Sequence, residues 1–284
     1  MPSTTTIEFS LPPELEANEP PEARGLRRDE VRLMVSDYGT NHIQHARFHN
    51  LPDFLDEGDL LVLNTSRTRN SAVTALRSDG TPLELHLSSH LEEDLWTVEV
   101  RSIEQSGKTK HFDDAREGDI LNLPEQAMAI LQGPYTSDCE SNSPPSETLW
   151  LAQVSLPALV DDYLARHGFP IKYNYVKDAW PLDYYQTVYA TESGSAEMPS
   201  AGRPFTAELL KHLAAKGIQT APLILHTGIS NLENHEPPYK EFYRVTAETA
   251  NLVNQTRAAG RRILAVGTTV VRALETVTDA RGIV

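Results

Sequence analysis

The stretch FTAELLKHLAAKGIQTAPLILHTG, residues 205–228, decides the fold class. Thr206 stands where a helix N-cap is expected, Leu209, Leu210 and Leu213 form an apolar face, and Gly217 follows as a stop. The apolar run IQTAPLIL then reads as a strand that ends at His226. Downstream the unit repeats. TAETANLVNQTRAAG (246–260) predicts a helix with Thr246 or Thr249 near its start and Gly260 after it. RRILAVGTT (261–269) predicts a buried strand, and VVRALETVTDARG (270–282) a helix. Helix, strand, helix, strand, helix calls for an α/β domain with a parallel sheet.

Working outward, SLPALVDDYLARHG (155–168) is amphipathic, with Ser155 as candidate N-cap and Gly168 as the residue past its end. IKYNYVKDAWPLDYYQTVYA (171–190) is dense in aromatics for a chain that averages 7%. Earlier the period changes. LELHLSSHL (83–91) and LWTVEVRS (95–102) alternate with period two, and REGDILNLP (116–124) and QAMAILQGP (126–134) are short and strand-like. Turn residues separate them, which predicts a small β-barrel or sandwich. YTSDCESNSPPSETL (135–149) reads as an exposed hairpin tip or loop. VRLMVSD (31–37) reads as a short buried strand, LPDFLDEGD (51–59) as a short helix ending at Gly58, and LLVLN (60–64) as a buried strand. VRLMV lacks an evident hairpin partner, so the first segment is assigned to the C-terminal half. The expected division is an α/β domain of residues 1–58 and 151–284 with a β-barrel domain inserted at 59–150.

A chain of 284 residues and 31.6 kDa can bury a core as one large domain or two modest ones. No apolar run is long enough to span a bilayer, and the N-terminus has no basic start followed by an apolar block. Cys139 stands alone, which excludes an internal disulfide and a cysteine-based zinc site. A cytoplasmic protein is expected, monomeric or weakly oligomeric, without a membrane partner. Lys plus Arg is 25 against 40 Asp plus Glu, a net charge of −15. That field opposes a tRNA-sized polyanion, although GLRRDEVR (25–32) and AAGRRILAVGTTVVR (258–272) are locally basic.

In a parallel α/β sheet, ligands gather at the carboxyl ends of strands. LILHTGIS delivers His226, Thr227 and Gly228 there, and ILAVGTT delivers Gly267, Thr268 and Thr269 before a helix. A Gly-Thr-Thr turn presents backbone N–H groups, hydroxyls and a positive dipole end to a carboxylate or phosphate; the alternative is a threonine cap. His226 is a candidate general base, or a structural strand-end histidine. There is no HExxH, and His42 and His45 in HIQH are too isolated for zinc, so no metal is expected. There is no GxGxxG after a strand, no P-loop and no GxSxG elbow. GSAEMPSAGRPFT (194–206) is a small-residue loop holding Glu197.

Five segments in order carry a resemblance: FSLPPELEANEPPEAR (9–24), GDLLVLNTSRT (58–68), YYQTVYATESGSAEMPSAGRPFTAELL (184–210), LHTGIS (225–230) and AVGTTVVRALE (265–275). Together they resemble the S-adenosylmethionine:tRNA ribosyltransferase-isomerase family of queuosine synthesis. The resemblance implies a Rossmann-like α/β domain with an inserted β-barrel. It implies transfer and isomerisation of the ribosyl part of S-adenosylmethionine onto the aminomethyl group of a 7-deazaguanine in tRNA, giving epoxyqueuosine. S-adenosylmethionine is then a co-substrate and tRNA a partner. The candidate site comprises His226, Glu197 and Glu241 as catalytic candidates. Substrate contacts are expected from Ser200, Ala201, Gly202, Thr227, Gly228, Gly267, Thr268, Thr269, Arg272, Asn64 and Arg67. The chain departs from the family pattern. Pro204 stands where the family has histidine, Ala72 where it has arginine, and Glu197 and Met198 where small residues are usual. The pattern is that of a divergent paralogue. Two further readings follow: one that binds S-adenosylmethionine but uses a small-molecule or other non-tRNA acceptor, and a non-catalytic, degenerate or truncated binding protein.

Overall fold

Alternation and continuity in the apolar pattern separate two sheets. The computed structural model describes residues 9–136, 145–173, 175–176, 178–229 and 239–284. Cys139 and the predicted hairpin tip around it lie outside the described residues. The chain runs through β1 (Arg32–Asp37), β2 (His42–Arg47), β3 (Leu60–Asn64) and β4 (Ser66–Thr68). Next come β5 (Ala72–Arg77), β6 (Pro82–Glu92), β7 (Leu95–Ile103), β8 (Thr109–His111), β9 (Ile120–Asn122), β10 (Met128–Pro134) and β11 (Leu149–Ser155). Then follow α1 (Val160–His167), β12 (Gly168–Phe169), β13 (Glu192–Ser195), α2 (Ala207–Ala215), β14 (Gln219–Leu225) and β15 (Tyr243–Arg244). The chain closes with α3 (Ala247–Ala258), β16 (Ile263–Ala265) and α4 (Thr268–Val277).

All five residues of β3 are buried, because it is the interior strand of the four-stranded sheet β15-β14-β3-β16. It pairs parallel with β14 and β16, while β15 is antiparallel to β14. Leu60 and Val62 pack toward Val253 of α3 and Val270 and Ala273 of α4. Leu61 and Leu63 pack toward Phe205 and toward Leu209 and Leu213 of α2. Helices thus cover both faces, which is why LLVLN is apolar throughout rather than alternating. Each buried leucine here contributes about 1.5–3 kcal/mol. Thr206 caps α2 through Leu209 N (3.1 Å) and Thr246 caps α3 through Thr249 N (3.2 Å), as their positions predict.

The alternating strands close a six-stranded barrel in the order β11-β10-β9-β5-β6-β7, sealed by antiparallel β7–β11 pairing. Val73, Leu83, Leu85, Leu87, Val98, Val100 and Leu131 point inward. Tyr163 and Leu164 of α1 join that core, and the Tyr163 hydroxyl donates to Pro124 O at 2.9 Å.

Four expectations change. β1 has a hairpin partner in β2 and is largely exposed, so it is not a buried strand. Ser155 ends β11, and Leu159 precedes α1 as its N-cap residue. LPDFLDEGD contributes only the end of a 3-10 segment, Phe48–Phe54. The expected division after residue 58 assigns LLVLN to the barrel, but its ladder partners are Gln219–Leu223 and Ile263–Ala265. The buried Asp59 carboxylate secures that arrangement, accepting from Arg262 N at 3.1 Å and Nε at 3.0 Å. The architecture is mixed α/β with a closed barrel. Among the described residues there are three parallel strands and four short helices, fewer helices than the Rossmann-like arrangement that the resemblance implies.

Candidate active site

The carboxyl ends of β3, β14 and β16 lie together, as parallel pairing requires. Asn64 ends β3 and is 2% exposed. Its Nδ2 donates to Leu225 O (2.8 Å), and its Oδ1 accepts from Leu225 N (3.0 Å) and Ser66 N (3.1 Å). The side chain behaves as an extra backbone rung, locking the turn after β3 to the end of β14. It positions the site, and its amide is filled by protein groups.

His226 follows immediately. Its Nδ1 lies 2.8 Å from Ser66 Oγ, which lies 2.6 Å from Ser195 Oγ. Ser195 Oγ also accepts from Thr227 N at 3.0 Å. Parallel pairing of β4 with β13 brings the two serines together, and both are 1% exposed or less. The imidazole stacks on Phe242 (centroids 5.2 Å apart, 22° between planes). Its other face lies on Gly194, where a Cβ would sit 2.5 Å from ring atoms. Nε2 is 3.8 Å from Glu192 Oε1, and Glu192 is paired with Arg244. Burial lowers the His226 pKa below its ordinary value; Glu192 opposes this and the Arg69 and Arg244 charges reinforce it. The ring is therefore neutral at pH 7.

Thr227 donates from Oγ1 to Glu197 O (2.5 Å), tying the strand end to the GSAEMPSAG loop. Gly228 N donates to Glu241 Oε1 (2.9 Å), and Glu241 also holds Arg272 of α4. Burial raises the Glu241 pKa, which Arg272 and Gly228 N–H only partly offset. Glu241 and Arg272 thus engage each other across the Gly228 turn. The start of α4 has no side-chain cap: Gly267, at φ 90°, is the N-cap residue, so the threonine-cap alternative is not realised. A Cβ on Gly267 would lie 3.1 Å from Ala201 Cβ, so the Ser200–Gly202 turn packs on this glycine. Thr268 is exposed and Thr269 buried. Gly202 is closed by Tyr189, whose hydroxyl lies 1.9 Å from where a Cβ would stand. Arg67 does not join the group; it is exposed between inward-facing Ser66 and Thr68.

Beside this cluster, residues 169–173, 175–176 and 179–185 help to line two adjoining cavities of about 890 and 360 Å³. Tyr173, Tyr175, Trp180 and Tyr185 line both. Tyr173 and Tyr175 are stacked at 5.4 Å with 10° between planes, and Tyr173 Oη donates to Glu197 Oε2 (3.1 Å). Across β12, β5, β6 and β7, Phe169, Ala72, His86 and Glu99 stand side by side on the barrel's outer face. Of these, Phe169, Ala72 and His86 line the larger cavity. Burial alone would lower the His86 pKa, but Glu84 and Glu99, at 3.2 and 3.5 Å, outweigh it and raise it above its ordinary value.

The family described as Queuosine biosynthesis protein matches residues 4–283. This chain belongs to that family. Two proteins named S-adenosylmethionine:tRNA ribosyltransferase-isomerase are similar to it. The Thermotoga maritima protein is 36% identical over 279 residues, covering 95% of this chain and 76% of the relative. The Thermosipho melanesiensis protein is 33% identical over 281 residues, covering 95% and 75%. A crystal structure of S-adenosylmethionine tRNA ribosyltransferase from Thermotoga maritima is 32% identical, covering 95% of this chain and 71% of that one, with a TM-score of 0.41. As a family member the chain is an enzyme of queuosine biosynthesis, of the transferase-isomerase kind.

Of the residues that the sequence singles out, the structure brings together His226, Thr227, Gly228, Gly267 and Ala201. Sequence reasoning missed Ser66, Ser195, Gly194 and the aromatic wall. The cluster of five tyrosines and one tryptophan in residues 171–190 was the available signal for the wall.

Proposed function

We propose that the chain transfers and isomerises the ribosyl part of S-adenosylmethionine onto the aminomethyl group of a 7-deazaguanine in tRNA, giving epoxyqueuosine, with His226 as the base. The supporting observation is the neutral imidazole held by Ser66, Gly194 and Phe242 at the strand ends. A sulfonium acidifies the adjacent C5′ protons. In the tautomer whose Nδ1–H donates to Ser66 Oγ, the Nε2 lone pair is free to take one. Glu192, 3.8 Å away, then stabilises the imidazolium. Adenine is expelled, the amine of the acceptor attacks the activated sugar, and methionine leaves. The N–H groups at the uncapped start of α4 favour a negative group near Thr268 and Thr269. The cleft under Tyr173, Tyr175, Trp180 and Tyr185 suits a stacked heterocycle, the acceptor base.

The net charge of −15 favours a second reading, in which the same donor serves a small amine acceptor rather than tRNA. One assay separates them: adenine release from S-adenosylmethionine, with tRNA bearing the aminomethyl-deazaguanine, with unmodified tRNA, and without tRNA. Release that requires the modified tRNA supports the first reading, and release indifferent to tRNA supports the second. His226→Ala is expected to lower turnover by 10²-fold or more, on the order of a lost general base. Unchanged turnover removes His226 as the base.

A further inference from the structure

Arg69 is a buried cation that the proposed chemistry leaves unused. It directly follows β4, and its backbone N–H donates to Ser195 O at 3.0 Å, so it is built into the same framework as Ser66 and His226. The residue is 9% exposed. Its guanidinium lies over Trp96, with Cζ 4.9 Å from the ring centroid. Nε donates to Ser71 Oγ and Nη2 to Ser88 O, both at the long distance of 3.3 Å. Among the described residues no carboxylate lies within 4.0 Å of it, and Asp161 acts only at long range. Ser88 in turn accepts Ile229 N on its Oγ (2.8 Å), so Arg69 sits beneath the turn that follows His226, and its charge reaches the imidazole.

Burying a guanidinium without a counter-ion is costly, and two long neutral hydrogen bonds with one aromatic face do not replace hydration. Arg77, Arg101, Arg203, Arg262 and Arg272 all have carboxylate partners. We infer that Arg69 is a carboxylate-binding subsite, filled in the working complex by the carboxylate of the sulfonium donor. This rests on the reading of S-adenosylmethionine as donor. That molecule carries one carboxylate and no phosphate, and the guanidinium fork matches a carboxylate in a bidentate way. Sequence reasoning named Arg67, two residues earlier, which faces outward.

The test compares binding of S-adenosylmethionine and its decarboxylated analogue, by calorimetric titration of the full chain, in wild type, Arg69→Gln and Arg69→Lys. Wild type is expected to prefer the carboxylate-bearing ligand by roughly 10- to 100-fold, the scale of a charge-assisted hydrogen bond. Arg69→Gln is expected to lose that factor for S-adenosylmethionine and to bind the analogue as wild type does, so the ratio falls to near unity. Arg69→Lys keeps the charge without the fork and is expected to reduce the ratio at least about threefold, which carries the test if the glutamine variant does not fold. A ratio unchanged in either folded variant, or equal losses for both ligands, overturns the subsite. Wild type that binds neither ligand overturns the donor reading together with it, whereas wild-type binding with an unchanged ratio overturns the subsite alone.

Discussion

Replacing Gly194 by alanine tests whether the placement of His226 matters to chemistry. The new Cβ would stand 2.5, 2.5 and 2.6 Å from three imidazole atoms, where ordinary contact begins at 3.4 Å. The ring must therefore shift by about 1 Å or the backbone must yield. Phe242 stacks on the opposite face, so the ring cannot simply retreat. A shift of that size breaks the 2.8 Å contact of Nδ1 with Ser66 Oγ. A misplacement of about 1 Å can lower a rate by about 10²-fold, and overpacking costs roughly 1–3 kcal/mol of stability. The assay is single-turnover adenine release alongside urea unfolding, so that lost activity is separated from lost fold. Gly194→Ala at wild-type rate, with the fold intact, would falsify the assignment of His226 to the reacting centre.

Three further outcomes follow from the same geometry. Asn64→Ala strips three hydrogen bonds from buried backbone groups and is expected to destabilise by about 3 kcal/mol in urea unfolding; a loss under about 1 kcal/mol would show that the rung is dispensable. Because burial lowers the His226 pKa, the unprotonated ring persists below the ordinary histidine value of about 6.5, and kcat/KM should fall only as pH drops through that lower pKa. Glu192→Gln removes the opposing carboxylate and should carry this acid limb to still lower pH; a limb above about 6.5 in wild type counts against the assignment.

The helices and parallel strands of the C-terminal part were readable because their signals are local. Thr206, Thr246, Gly217 and Gly260 punctuate segments of adequate length, and LLVLN shows its double-sided burial directly. The β1–β2 hairpin was not, since HIQHAR alternates between polar residues and lies on an open ribbon with little to bury. The site was readable only where its residues sit on strong elements. Ser66 and Ser195 are 129 positions apart and meet through β4 and β13, of three and four residues, too short to leave a periodic mark. In the sequence Gly194 and Gly202 stand only as members of a small-residue loop. In the fold they are absences of volume, one taken by an imidazole and the other by the Tyr189 hydroxyl.

Small barrels ordinarily accept change on alternate positions, with inward residues fixed and outward ones free. Here the rule fails along one line, because Ala72, His86 and Glu99 face outward yet are 0, 4 and 6% exposed. Anyone randomising this barrel, or grafting it elsewhere, would find a band of intolerance running across β5, β6 and β7 where a surface was expected. The barrel's exterior thus contributes one side of the cleft through Ala72 and His86, with Glu99 held behind His86, so under the proposed function drift in the insert and drift in substrate preference are bound together.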